Sequence, residues 1–156
     1  MIFYPPVNLR AFLLALLLVL HTSSGSAFEM TDTKGHIHRL ANYQGRWVLL
    51  NIWASWCEPC IAELPTLAAL ADSEKTLVVL GLAADGIGTK RLNQLSEQFS
   101  LHYPQIDGNA VSARQFNAKG YPTSILFDPS GRKVLVKEGI ISREEILLLM
   151  HPPQHP

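Results

Sequence analysis

The sequence predicts a three-layer α/β sandwich around a mixed β-sheet. Three observations carry this. Short apolar runs alternate with segments of helical character, and that order places helices against a sheet. The runs at residues 47–53 (WVLLNIW) and 76–83 (TLVVLGLA) are almost continuously apolar, as strands buried on both faces should be. Residues 124–137 hold two short apolar segments around Asp128-Pro129-Ser130-Gly131, a tight turn with proline in its second position.

The elements follow in order. Thr31-Asp32-Thr33-Lys34-Gly35 reads as a turn, and the next five residues alternate polar and apolar. A short hairpin near the N-terminus follows, with His36 and His38 on its surface. The run 47–53 is the central strand. Ala54-Ser55-Trp56 links it to a helix over residues 60–71, rich in Ala, Leu and Glu. Pro59 suits the first helical turn, where its missing N–H costs nothing, and Pro65 should kink the helix. After the second buried strand, residues 85–88 form a loop. Thr89 is the expected N-cap of a helix reaching Phe99, with Leu92, Leu95 and Phe99 on one face. A short strand over 103–106 and a short helix over 112–118, ended by Gly120, come next. Ser142 and Glu145 form a capping box for the last helix, which runs to Met150.

The chain of 156 residues suits one domain. With 47% hydrophobic residues it can build a core, and 13 basic against 13 acidic residues suggest no nucleic-acid partner. Residues 1–27 fall outside this domain. Arg10 is their sole charge, residues 11–20 (AFLLALLLVL) are unbroken and apolar, and residues 21–27 are small and polar. That is the order of a secretory signal peptide, with cleavage expected after Ala27. The alternative is an uncleaved anchor, and only then is the membrane a partner. Ten apolar residues fall short of the ~20 that span a bilayer. The folded domain is expected over 28–150, with a flexible tail at 151–156.

Secretion means an oxidising, periplasmic or otherwise extracytoplasmic compartment. There the two cysteines, Cys57 and Cys60, close too small a loop to stabilise a fold much. Reactivity is the better explanation. Cys57 is expected at a strand-to-helix junction, where the helix dipole and free N–H groups favour thiolate. It can attack a substrate disulfide, and Cys60, one turn on, can resolve the mixed disulfide. Half a zinc site is the competing reading, but the second ligand pair is missing, and Ile61 in place of histidine excludes c-type haem attachment. No metal and no cofactor beyond the Cys57–Cys60 disulfide is expected.

Residues 51–65 (NIWASWCEPCIAELP) resemble the active-site segment of the TlpA/ResA-like thioredoxins. Residues 120–131 (GYPTSILFDPSG) resemble that family's cis-proline loop and the hairpin after it. The resemblance spans most of 28–150 and implies a thioredoxin fold with a central insertion, placed within residues 85–109. It implies Cys57 as nucleophile, Cys60 as resolving thiol, and Glu63 as the glutamate that tunes the pair and takes a proton from Cys60. Pro122 would be cis, with Tyr121, Pro122 and Thr123 forming the substrate wall. Trp56, Pro59 and Asn51 would support the site, and Asn51 stands where ordinary thioredoxin has a buried aspartate. The implied activity is protein-disulfide reduction, yielding apocytochrome c thiols or restoring oxidised secreted proteins, with a membrane electron donor. A general thiol oxidase or isomerase is the alternative, and a copper carrier using Cys57, Cys60 and a histidine is a more distant one.

Overall fold

The computed structural model describes residues 28–153. The expected signal segment, 1–27, and the last three residues lie outside that range. Strand β1 (Glu29–Thr31) pairs antiparallel with β2 (Ile37–Arg39) as the expected hairpin. A single 3₁₀ turn, Leu40–Tyr43, leads to β3 (Trp47–Trp53). Then come α1 (Glu58–Ser73), β4 (Leu77–Ala83), α2 (Thr89–Gln98) and β5 (Gln105–Asp107). The chain ends with α3 (Ala110–Arg114), β6 (Thr123–Phe127), β7 (Lys133–Glu138) and α4 (Arg143–Met150).

Five strands form one sheet in the order β5-β4-β3-β6-β7. β3, β4 and β5 run parallel, while β6 and β7 are antiparallel to their neighbours, so the sheet is mixed. The helices α1, α2 and α4 bury apolar residues on one face, including Leu64, Leu67, Leu92 and Ile146. The hairpin side and α3 cover the other, where Phe28, Leu40, Ala113 and Phe116 meet Leu50, Ile52 and Ile125. The predicted segment 85–109 supplies α2 and the edge strand β5, so it completes the sheet as well as adding surface.

Four expectations need correction. Gly88 takes the cap position of α2 in place of Thr89; its φ of 82° lies in the left-handed region that glycine enters without strain. α3 begins before Ser112, because the side chain of Asn109 accepts from the N–H groups of Val111 and Ser112, and Ser112 returns the bond as the third residue of a capping box. The turn after α3 is made by Asn117, with φ 59°, and not by Gly120. The hairpin also faces the other way. Ile37 is 49% exposed while His38 is buried. The cause is Asp32, whose buried carboxylate meets His38 Nε2 at 3.1 Å and accepts N–H bonds from Lys34 and His36. Burial works to raise the Asp32 pKa, but the bonds from His38, His36 and Lys34 outweigh it and hold it to about 2. His36 is exposed, as expected, and so is His102.

The last turn of the chain follows its sequence signal. The Ser142 side chain accepts from Glu145 N–H, and Glu145 accepts from Ser142 N–H, closing the capping box of α4. Likewise Asp128 Oδ1 accepts from the backbone N–H groups of Ser130 and Arg132, which fixes the β6–β7 turn.

Candidate active site

The link between β3 and α1 is held from two sides. Ala84 N–H donates to Trp53 O at 2.8 Å, and Cys57 N–H donates to Ala54 O at 3.1 Å. Between them, Ser55 donates from both its N–H and its hydroxyl to Asp85 Oδ2, at 2.9 and 2.6 Å. Asp85 therefore fixes the loop two residues before the first cysteine. Sequence reasoning placed Asp85 in a loop and missed this role; its position just after a strand parallel to β3 was the available signal.

Cys57 is the N-cap of α1, with extended backbone, and Pro59 sits in the first turn. The Cys60 N–H points at Cys57 Sγ, 3.3 Å away. An amide hydrogen aimed at sulfur, together with the positive end of a sixteen-residue helix, favours negative charge on Cys57. The two cysteines are joined as a disulfide. Their exposure is unequal: Cys57 keeps 5% of its surface and Cys60 none. An incoming group therefore meets Cys57 first.

Trp56, expected to support the site, and Trp53, the last residue of β3, part company. Trp53 is wholly buried beside the cysteines in the core. Trp56 is 72% exposed, and its ring meets Tyr121 edge-on at 5.9 Å. The Tyr121–Pro122 bond is cis. Pro122 O accepts from Gly139 N–H at 2.8 Å, which ties the proline loop to the end of β7. Thr123 does not join Tyr121 at the surface. It is buried, and its hydroxyl donates to Gly120 O at 2.8 Å, so its side chain shapes the loop from behind. Glu58 is exposed.

Glu63 is only 3% exposed, so it is no solvated helix-face glutamate. Spaced three residues from Cys60 on α1, it shares that residue's inner face. Its Oε1 accepts from Asn51 Nδ2 at 2.7 Å, and its Oε2 accepts from Ile141 N–H at 3.0 Å. Asn51 Nδ2 also donates to Ser124 Oγ at 3.1 Å. Burial pushes the Glu63 pKa up, and the bonds from Ile141 and Asn51 pull against it without cancelling it. An opening of about 430 Å³, lined by Ala62, Thr66, Ile140 and Arg143, reaches Glu63 from solvent. Ile141 and Ser124 carried no sequence signal, since one acts through its backbone and the other through strand register.

Among the described residues, no three His, Cys, Asp or Glu side chains gather in a set that could hold a metal ion. The two sulfurs, unequally exposed, share the inner end of α1 with a buried carboxylate, an arrangement suited to thiol–disulfide exchange. Residues 24–134 match the model of the AhpC/TSA family. The chain belongs to the AhpC/TSA family. Within it, the chain is similar to the thiol-disulfide oxidoreductase ResA of Geobacillus kaustophilus, at 35% identity over 127 residues, covering 80% of this chain and 72% of that protein. ResA of Bacillus subtilis is 27% identical over 127 residues, covering 80% and 70%. Among solved structures, the exposed lipoprotein thioredoxin of Streptococcus pneumoniae strain TIGR4 superimposes with a TM-score of 0.68 at 26% identity, covering 79% of this chain and 96% of that one. This AhpC/TSA member is a thiol–disulfide oxidoreductase with a Cys-x-x-Cys pair, and the expected likeness to ResA-type thioredoxins holds.

Proposed function

We propose that the protein is an extracytoplasmic disulfide reductase that passes electrons from a membrane carrier to an oxidised protein substrate. The buried Glu63 carboxylate beneath the cysteine pair carries the reading. Negative charge at that place disfavours ionisation of both thiols. Destabilising the reduced, ionised pair makes the disulfide the preferred form, and a protein that prefers its disulfide is a reductant; the strong oxidants are those whose reduced form is stabilised.

Cys57 thiolate attacks one sulfur of the substrate disulfide, and the other substrate sulfur leaves as thiolate and takes a proton. Cys60 gives its proton to Glu63 and attacks Cys57 Sγ. The Cys57–Cys60 disulfide forms, the second substrate thiol is released, and two electrons have moved to the substrate. The membrane carrier returns the pair to dithiol. Trp56 and Tyr121 supply an aromatic wall, and the backbone at Tyr121, before the cis bond, offers an edge for an extended substrate segment. Substrates would be apocytochrome c or another oxidised secreted protein. The location is supported by the signal-like order of residues 1–27 and by the exposed lipoprotein thioredoxin to which the fold is similar. No helix among the described residues is long and apolar enough to cross a membrane.

One observation favours the opposite direction, a general thiol oxidase or isomerase. The Cys60 N–H and the helix dipole both stabilise a Cys57 thiolate, and with it the reduced form. The reduction potential decides between them. A value near about −270 mV, that of thioredoxin, is expected, and one near about −120 mV, that of the oxidant DsbA, would sink the reductase reading.

A further inference from the structure

The sheet face beneath α1 is polar along one register row. Asn51 of β3 lies opposite Ser124 on one side and Gly81 on the other, and Gly81 lies opposite Gln105 of the edge strand. Register partners turn their side chains to the same face, so these residues form a line across the sheet. Gly81 keeps the line open. A Cβ at that position would lie 2.3 Å from Gln105 Oε1 and 2.7 Å from its Cδ. The Gln105 amide therefore rests on the Gly81 backbone, one strand from Asn51. There its Oε1 accepts from Trp53 Nε1 at 3.2 Å, at the last residue of β3 before the cysteine loop.

Three atoms on this face lack a partner: Asn51 Oδ1, Gln105 Nε2 and the Tyr103 hydroxyl. All three residues are more than nine-tenths buried. Tyr103 stands two residues before Gln105 and packs in the same cluster as both cysteines. Burial pushes its pKa up, the nearby Gln105 amide eases it, and the Glu63 charge raises it again, so it stays a donor. Tyr103 and Gln105 feel each other without a hydrogen bond of normal geometry. Buried polar atoms left unpaired are costly. One acceptor and two donors on one face are complementary, the pairing that a side-chain rotation or a bridging water would satisfy.

We propose that Gln105 and Tyr103 are positioning residues of the thiol site, completing a buried hydrogen-bond network that runs from the edge strand through Asn51 to Glu63 and favours the ionised carboxylate. A donor at Asn51 Oδ1 polarises the amide and strengthens the bond from Asn51 Nδ2 to Glu63 Oε1. The network thus opposes burial, which favours the neutral acid. The other titratable or charged groups facing Glu63 are Cys60 on its own helix and Arg143 and Glu144 across its opening to solvent. The inference rests on the reading of Glu63 as proton acceptor for Cys60, and it makes segment 85–109 part of the active site's electrostatics.

The test is a pH titration of the Glu63 side-chain carboxyl by ¹³C NMR in the reduced protein, with the signal assigned by its loss in Glu63→Gln. Gln105→Met and Tyr103→Phe should each raise the midpoint by half a pH unit or more, about threefold in proton affinity. Tyr103→Phe deletes a single unpaired hydroxyl, so it remains informative if Gln105→Met folds poorly. A merely structural role would lower thermal stability and leave the midpoint in place. Unchanged or lowered midpoints in both variants would overturn the network. The Glu63 reading fails separately: it does so if Glu63→Gln keeps the wild-type pH profile of cysteine alkylation, whatever the carboxyl titration shows.

Discussion

The two faces of the central sheet are built from the same strands and differ in chemistry. On the face toward the hairpin and α3, Val48, Leu50, Ile52, Leu80, Leu82, Ile125 and Phe127 form a hydrocarbon layer. On the face toward α1, Leu49, Trp53 and Val79 are interrupted by the row of Gln105, Gly81, Asn51 and Ser124, with Glu63 above it. Because side chains alternate along a strand, neighbouring residues serve opposite ends. Leu50 and Ile52 contribute burial, while Asn51 between them holds a carboxylate. Burying polar groups is unfavourable unless they are paired. Within the sheet, the row beneath the cysteines carries that cost, while the hydrocarbon side chains of the other face supply stability.

That contrast can be broken on either side. The largest effect is expected at the site itself: Cys57→Ser should reduce insulin-reduction activity to background while leaving the thermal midpoint of the reduced protein nearly unchanged. On the opposite face the pattern should invert. Leu50→Ala, at a fully buried position, should cost about 2–5 kcal/mol in denaturant unfolding and preserve the specific activity of the folded fraction. If Leu50→Ala altered the reduction potential, the division of labour between the faces would be lost.

Glu63→Gln sharpens the comparison through pH. The folded-state pKa of Glu63 lies above its ordinary value of 4.5, so the native protein binds more protons than the unfolded chain in the window between them. Stability therefore falls as pH rises from 4.5 through the raised pKa, by at most about 1.4 kcal/mol per pH unit. The glutamine variant should lack that decline, and paired unfolding curves across pH 4–8 would show it. The smallest stability effect belongs to Trp56→Ala, within about 0.5 kcal/mol because the ring is exposed. Its KM for a protein disulfide should nonetheless rise; an unchanged KM would remove the aromatic wall from the substrate surface.

Much of this molecule was legible before any coordinates. Apolar runs at 47–53 and 76–83, the Asp128 turn and the Ser142 capping box depend on local chemistry, and each element appeared within a few residues of its expected bounds. The errors came where a neighbour distant in sequence or a competing cap intervened. His38 turned inward because Asp32 waits there, against the simple alternation of polar and apolar residues. Gly88 displaced Thr89 as a cap because the chain needed a positive φ.

The sequence by itself determined the order of strands and helices and the pairing of Cys57 with Cys60 at a helix start, since both follow from spacing and local propensity. Tertiary structure decided what surrounds the sulfurs. Ile141 reaches Glu63 through a backbone N–H from 78 residues away, Asp85 grips Ser55 across 30 residues, and Gln105 reaches Trp53 only because Gly81 has no side chain. Such contacts depend on register and close approach between segments far apart in the chain, and no local pattern of residues encodes them.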